Sequence, residues 1–329
     1  MITFGDSKLE AAVRDAIGQP TGNITETDVA SLTVLIAYGK SISNLRGIEN
    51  LSSLTFLGLG YNNIKDLGPL AGLTNLTFLA LQGNNISDLT PLAGLTSLTD
   101  LLLGGNNISD LTPLAGLTSL TGLLLGSNSI SDLSPLASLT SLRSLNLFGS
   151  NISDLGPLAN LLAKLTSLAH LSLDYNNISD LSPLASLTSL QHLSLGQNNI
   201  SDLSPLVGLT SLTILELWQN NISDLSPLVG LTSLRSLNLS FNKIRDLGPL
   251  ANLTNLVYLN LKENNITDIS ALVTNSNNGG LGSGDEVYLS IRPMTPFSTP
   301  LSDQAKNVDI PKLRDNGVIV NPEFPEPPF

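Results

Sequence analysis

His170 and His192 stand 22 residues apart, and Asp174 and Glu216 fall close to them in the same spacing, so two imidazoles and two carboxylates are available for one site. Such a set could hold zinc and activate water. The rest of the chain argues otherwise. It has no cysteine and only these two histidines in 329 residues, and neither an HExxH helix nor a phosphate-binding glycine loop is present. Residues one period apart also arise together whenever a repeat is copied. The expectation is therefore a polar binding patch, with no metal, no cofactor and no catalytic activity.

The spacing of 22 is the period of the whole chain. The unit LTSLxxLxLxxNxISDLxPLAG is carried by Leu73, Leu76, Leu79, Leu81, Asn84, Ile86, Leu89, Pro91 and Leu92, and its next copy runs from Leu95 to Leu114. Eleven units extend from Val29 to about Thr274. The first is degenerate, with Lys40 in place of Asn and Gly47 in place of Pro. The sixth spans 26 residues because ANLLAKLTSL adds four. Four residues are about one helical turn, so this insertion should lengthen a helix around Leu161 and Leu162 and leave the strands in register. So short a unit cannot enclose a core, and it buries its leucines only by stacking on its neighbours, as a solenoid.

Within each unit LxLxx alternates as a short strand, Leu inward and variable residues outward, and the strands should stack as a parallel sheet. An Asn follows at 62, 84, 106, 128, 176, 198, 220, 242 and 264, with Ser150 in the same column. An unpaired buried amide costs about 1–3 kcal/mol, so these side chains should bond neighbouring backbone as a ladder. In DLSPL and DLTPL, Ser or Thr before Pro suits an N-cap followed by the first position of a short helix. The Asp column there reads as turn-forming, since single carboxylates make poor calcium cages.

The outward strand positions are free to vary and carry the functional signal. They amount to a tenth of the chain, yet they hold Tyr38, Phe56, Phe78, Phe148, Trp218 and Tyr258, the only Trp among them. Aromatic side chains anchor interfaces because they bring large apolar area at low entropic cost. The surface is Gly, Phe and Leu near the N-terminus and chemically diverse from Phe148 onward. The candidate ligand-binding residues are therefore Phe148, His170, Asp174, His192, Glu216, Trp218, Asn238, Tyr258 and Lys262. Tyr61, Tyr175 and Phe241, one residue before the Asn column, read as packing at the edge of the core.

In its motif LxxLxxLxLxxNxIxDLxPL, matched at Leu95 to Leu114, the chain resembles bacterial leucine-rich repeat proteins of the internalin kind. The resemblance implies an α/β fold: a curved leucine-rich repeat solenoid with a parallel sheet on its concave face and short helical turns on its convex face. It also implies a helical N-terminal cap over 1–28, carried here by Ser7-x-x-Glu10 and the stripe Leu9, Ala12, Val13, Ala16 and Ile17, with Gly18 and Pro20 as stops. The repeats would occupy 29–274, a C-terminal cap 275–321 and a Pro-rich tail 322–329. In function it implies a surface or secreted bacterial protein that binds another protein on the concave face.

Composition bounds the partners. A net charge of −12 argues against nucleic acid and anionic membranes, and no apolar run reaches the ~20 residues of a spanning helix. A protein ligand is expected, with a glycan as the other class. The cap begins at Phe4, three residues after Met1, leaving no room for a signal peptide ahead of it, so a cytoplasmic location stays open beside an extracellular one. Two other functions remain: a cytosolic regulatory subunit that holds an enzyme such as a phosphatase, and a near-consensus scaffold without an evolved ligand.

Overall fold

The structure is a computed structural model that describes residues 1–156, 159–290 and 300–321, the side chains of Asn160, Leu161 and Asn321 excepted. The tail expected at 322–329 and the Leu161 side chain lie outside the described residues. The chain divides into two compact units, residues 1–151 with 163–168 and residues 152–162 with 169–329. The division falls in the lengthened sixth repeat.

The first unit opens with helix α1, Ser7–Ile17, and the single turn α2, Glu26–Val29. Leu9, Ala12 and Val13 are buried, whereas Ala16 and Ile17 of the expected stripe are not. The cap residue is Asp6 and not Ser7: its Oδ1 accepts from Lys8 N at 2.9 Å, and its Oδ2 accepts from Ser43 N at 2.9 Å. One carboxylate thus closes the helix and ties it to the first repeat. Gly18 ends the helix at φ 68°, as its position suggested.

Six strands follow: β1 Val34–Ile36, β2 Phe56–Gly58, β3 Phe78–Ala80, β4 Asp100–Leu102, β5 Gly122–Leu124 and β6 Ser144–Asn146. They pair in parallel with a register of one repeat, Val34 on Phe56 and onward to Leu124 on Asn146. The second unit carries β7 His170–Ser172, β8 His192–Ser194, β9 Ile214–Glu216, β10 Ser236–Asn238, β11 Tyr258–Asn260, β12 Glu286–Tyr288 and β13 Ile319–Asn321. The last two come from the C-terminal cap, which continues the ladder beyond the repeats through α4, Ser270–Asn277, and α5, Ile310–Asp315. Among the described residues no helix is long and apolar enough to cross a membrane.

The central strand leucines, from Leu35 to Leu259, are at most 2% exposed. Each such side chain withdrawn from water contributes about 1.5–3 kcal/mol, which is what stacks the units. Most return segments are three-residue 3-10 turns such as Thr90–Leu92 and Ser204–Leu206, and that at Ser134–Ser138 is five residues long. Here the capping expectation needs correction. Ser or Thr is the first residue of the turn and caps nothing; the Asp two residues earlier accepts its N–H, as from Thr90 to Asp88 Oδ1 at 2.8 Å. The hydroxyl and N–H of Thr112 hold the Asp110 carboxyl below the usual range. In the repeat with the four-residue insertion the return segment includes the α-helix α3, Ala159–Leu162.

A backbone rule absent from the residue pattern appears just before the ladder. Gly39, Tyr61, Gly83, Gly105, Ser127, Gly149, Tyr175, Gln197, Gln219, Phe241 and Glu263 all have φ between 50° and 67°. This left-handed step turns the chain out of the strand so that the next Asn enters the interior. A side chain there costs about 1–2 kcal/mol, and Gly and Asn tolerate it best. Gln219→Val is therefore expected to destabilise by about 1 kcal/mol and Gln219→Asn to be neutral, measured by urea midpoints; equal midpoints would remove the strain.

Candidate functional site

Each strand places two residues on its outward face, and the residue two beyond its end continues the row. In the second unit this puts His170 beside His192, Glu216 beside Asn238 and Ser236 beside Tyr258, in direct register. The imidazoles meet edge to face at 6.0 Å between centroids, as their spacing requires. The carboxylates are not poised for metal. Asp174 accepts from Gly196 N at 2.8 Å and from the Ser172 hydroxyl at 3.0 Å, which orients it along the sheet. Among the described residues no three His, Asp or Glu side chains converge as a metal-binding group. Added zinc is expected to leave the melting temperature unchanged in the wild type and in His170→Ala. A rise confined to the wild type, with one zinc per chain by calorimetry, would instead establish a site.

Burial sets the electrostatics of this face. It pushes the Glu216 carboxyl above its usual pKa; the Asn238 amide opposes the shift and the Asp174 charge adds to it. Burial likewise lowers His192, with His170 contributing, and raises the Tyr258 phenol. Partly desolvated polar groups on a rigid strand lose less on meeting a ligand than fully hydrated ones.

Trp218 is the centre of the patch. Gly196 precedes it by one repeat in the same column, and a Cβ there would run into the indole, so the ring lies across the glycine backbone. Its far side meets Tyr175 edge to face at 5.3 Å. Tyr175 was expected at the edge of the core, as were Tyr61 and Phe241, but the three are 44%, 67% and 42% exposed. The left-handed turn holds them out of the interior. Lys262 differs in the opposite sense: it is 4% exposed, its ammonium 5.6 Å from the Tyr288 ring centroid, so it is covered and not presented. Asp174 is also nearly covered, at 8%.

Phe148 belongs to the first unit. There the outward face is almost uncharged: Phe56 and Phe78 stack at 4.2 Å, and the Tyr38 ring covers Gly58 and Gly60. A slot of about 300 Å³ opens farther along, lined by Tyr61, Leu124 and Phe148 over the glycines that follow β3, β4 and β5. Gln82 borders it, with Oε1 buried and without a hydrogen-bond donor. Sequence reasoning passed over this slot, although Gly104, Gly105 and Gly126 mark it as missing side chains in adjacent rows.

A family model described as leucine rich repeats (2 copies) matches residues 52–94, 74–116, 118–160, 140–186, 166–208, 188–230 and 232–274. Among solved structures, an internalin (inlF) from Listeria monocytogenes str. 4b F2365 is 35% identical, with a TM-score of 0.84 over 97% of this chain and 91% of that one. The functional domain of InlJ from Listeria monocytogenes is 26% identical, with a TM-score of 0.73 over 91% and 69% of the two chains. The plant peptide hormone receptor RGFR1, solved in complex with RGF2, shares the fold at 23% identity and a TM-score of 0.62, over 82% and 50%. No curated protein sequence matches the chain.

Proposed function

Because the chain belongs to the bacterial internalin-like leucine-rich repeat proteins, we propose that it is a non-catalytic module that binds a partner protein on the outward face of its strands, as a secreted or surface protein. The observation that carries this reading is Trp218, a large apolar ring kept half-exposed on a rigid sheet by Gly196 and Tyr175, where it adds nothing to the leucine core. Such a ring is already ordered, so a partner that covers it gains apolar burial at little entropic cost.

Around it, His170, His192, Glu216, Asn238 and Tyr258 supply donors and acceptors on adjacent strands, with Asp174 and Lys262 as the covered groups that fix their neighbours; Phe148 is an apolar contact of the first unit by itself. The polar members give specificity and the aromatic ones affinity. The test is capture of binding proteins from host or neighbouring-cell extracts by the immobilised chain, in parallel with a variant carrying Tyr258→Asp on the strand face and another carrying Asp110→Lys on the turn side. A partner retained by the turn-side variant and lost by the strand-face variant supports the assignment. Loss on the turn side alone removes it.

A further inference from the structure

The slot in the first unit joins a floor of bare backbone to exposed aromatic walls. Its floor is glycine, at Gly104, Gly105 and Gly126, and its walls are Tyr61 and Phe148 with Leu124 between them. In the row two residues beyond β4 and β5, Gly104 and Gly126 carry no side chains and leave a gap about 10 Å wide, since strands lie about 4.8 Å apart. The floor cannot be raised: a Cβ on Gly104 would sit 3.2 Å from Gly126 O, and one on Gly126 would sit 2.8 Å from Phe148 O.

Tyr61 is the more telling wall. It occupies the left-handed position at φ 58° with 67% of its surface exposed, so it bears backbone strain without burying its ring. The same column has glycine at 83 and 105, which relieves that strain, and a Cβ on Gly83 would sit 2.8 Å from the Tyr61 ring. The ring therefore leans over a space that a larger residue would fill. The left-handed step is common to every repeat, so what sets Tyr61 apart is its exposure, the largest of the three aromatic side chains in that column, beside an open slot.

We infer that this slot is a socket for one aromatic side chain of the partner protein, a second anchor point on the strand face; the inference rests on the protein-binding function proposed above. Charge selects the occupant: the chain carries a net charge of −12, yet no slot-lining residue is acidic or basic. A charged side chain would be desolvated there without a counter-ion. Shape selects it further, because a planar ring lies flat on the glycine floor and stacks against an aromatic wall, whereas an aliphatic side chain leaves much of a 300 Å³ space unfilled. The unpaired Gln82 Oε1 on the lining favours a ring that carries a donor, an indole or a phenol, which it meets after a turn of its amide.

The socket is tested on the full chain without a partner, with N-acetyl-L-tryptophanamide as the probe and N-acetyl-L-leucinamide as the control, followed through backbone amide shifts in NMR. The tryptophan probe is expected to give saturable shifts centred on Gly104, Gly105 and Gly126, with the leucine control at least about tenfold weaker. Tyr61→Gly should weaken the probe about tenfold without lowering the melting temperature, since glycine suits that backbone. Leu124→Glu should do the same by placing a charge in the slot. Absent or unsaturable shifts, equal binding of the leucine control, or binding unchanged in both variants would each overturn the socket. The two readings fail separately: a captured partner that depends on Trp218 without probe binding removes the socket alone, and probe binding without any captured partner leaves the socket and removes the protein-binding function.

Discussion

Asn106→Leu is expected to destabilise the chain by about 2 kcal/mol, although it adds apolar surface to an apolar interior. Asn106 is 8% exposed. Its Nδ2 donates to Leu81 O at 3.0 Å and Leu103 O at 2.9 Å, and its Oδ1 accepts from Ile86 N at 3.0 Å. Those three backbone groups lie where the chain leaves one strand and enters the next turn, where the backbone ladder supplies no partner. Leucine matches the shape of asparagine but orphans Ile86 N outright and takes one of two amide donors from each carbonyl, Leu81 O keeping Asn84 Nδ2 and Leu103 O keeping Asn128 Nδ2; a buried orphan costs about 1–3 kcal/mol. Because the carbonyl of Leu81 belongs to the preceding repeat, the substitution also loosens the coupling between units on which a repeat array depends. The measurement is the urea midpoint at constant m-value. An unchanged midpoint would mean that the ladder decorates the fold without holding it. Lys40→Ala, at the exposed terminal position of the same column, is expected to cost far less.

Trp218→Ala is expected to weaken partner binding by about 2 kcal/mol, roughly thirtyfold, while the fold survives. The indole rests on Gly196 and Tyr175, outside the leucine core, so its loss uncovers strand backbone that is already bonded within the sheet. Tyr258→Ala and Phe148→Ala should act in the same direction and more weakly, Tyr258 because its ring is shared with Tyr288 at 5.4 Å. Asp110→Lys, on the exposed turn side, should leave affinity within a few-fold. Titration calorimetry with any captured partner decides the matter. Binding that survives Trp218→Ala and is lost in Asp110→Lys would move the interface to the turn side.

The sequence by itself determined which side chains face inward and which equivalents meet from one repeat to the next. A side chain at a given position meets its equivalent 22 residues on, so the inward leucines, the parallel register, the pairing of His170 with His192 and the Asn ladder all follow from spacing alone. Periodicity could not supply what depends on unlike neighbours or on backbone torsion. Ser and Asp are both capping residues, and only the geometry of the turn gave the role to Asp, which accepts the N–H of the Ser or Thr itself. The left-handed step before each Asn is hidden because glycine, glutamine and tyrosine all occupy it, and it is this step that sends Tyr61, Tyr175 and Phe241 outward. Trp218 lies down because Gly196 leaves room beside it, Lys262 is covered because Tyr288 from the cap stands over it, and the first-unit slot exists because three glycines fall in adjacent rows. These are differences in side-chain volume between neighbouring strands, and only tertiary structure brings those strands together.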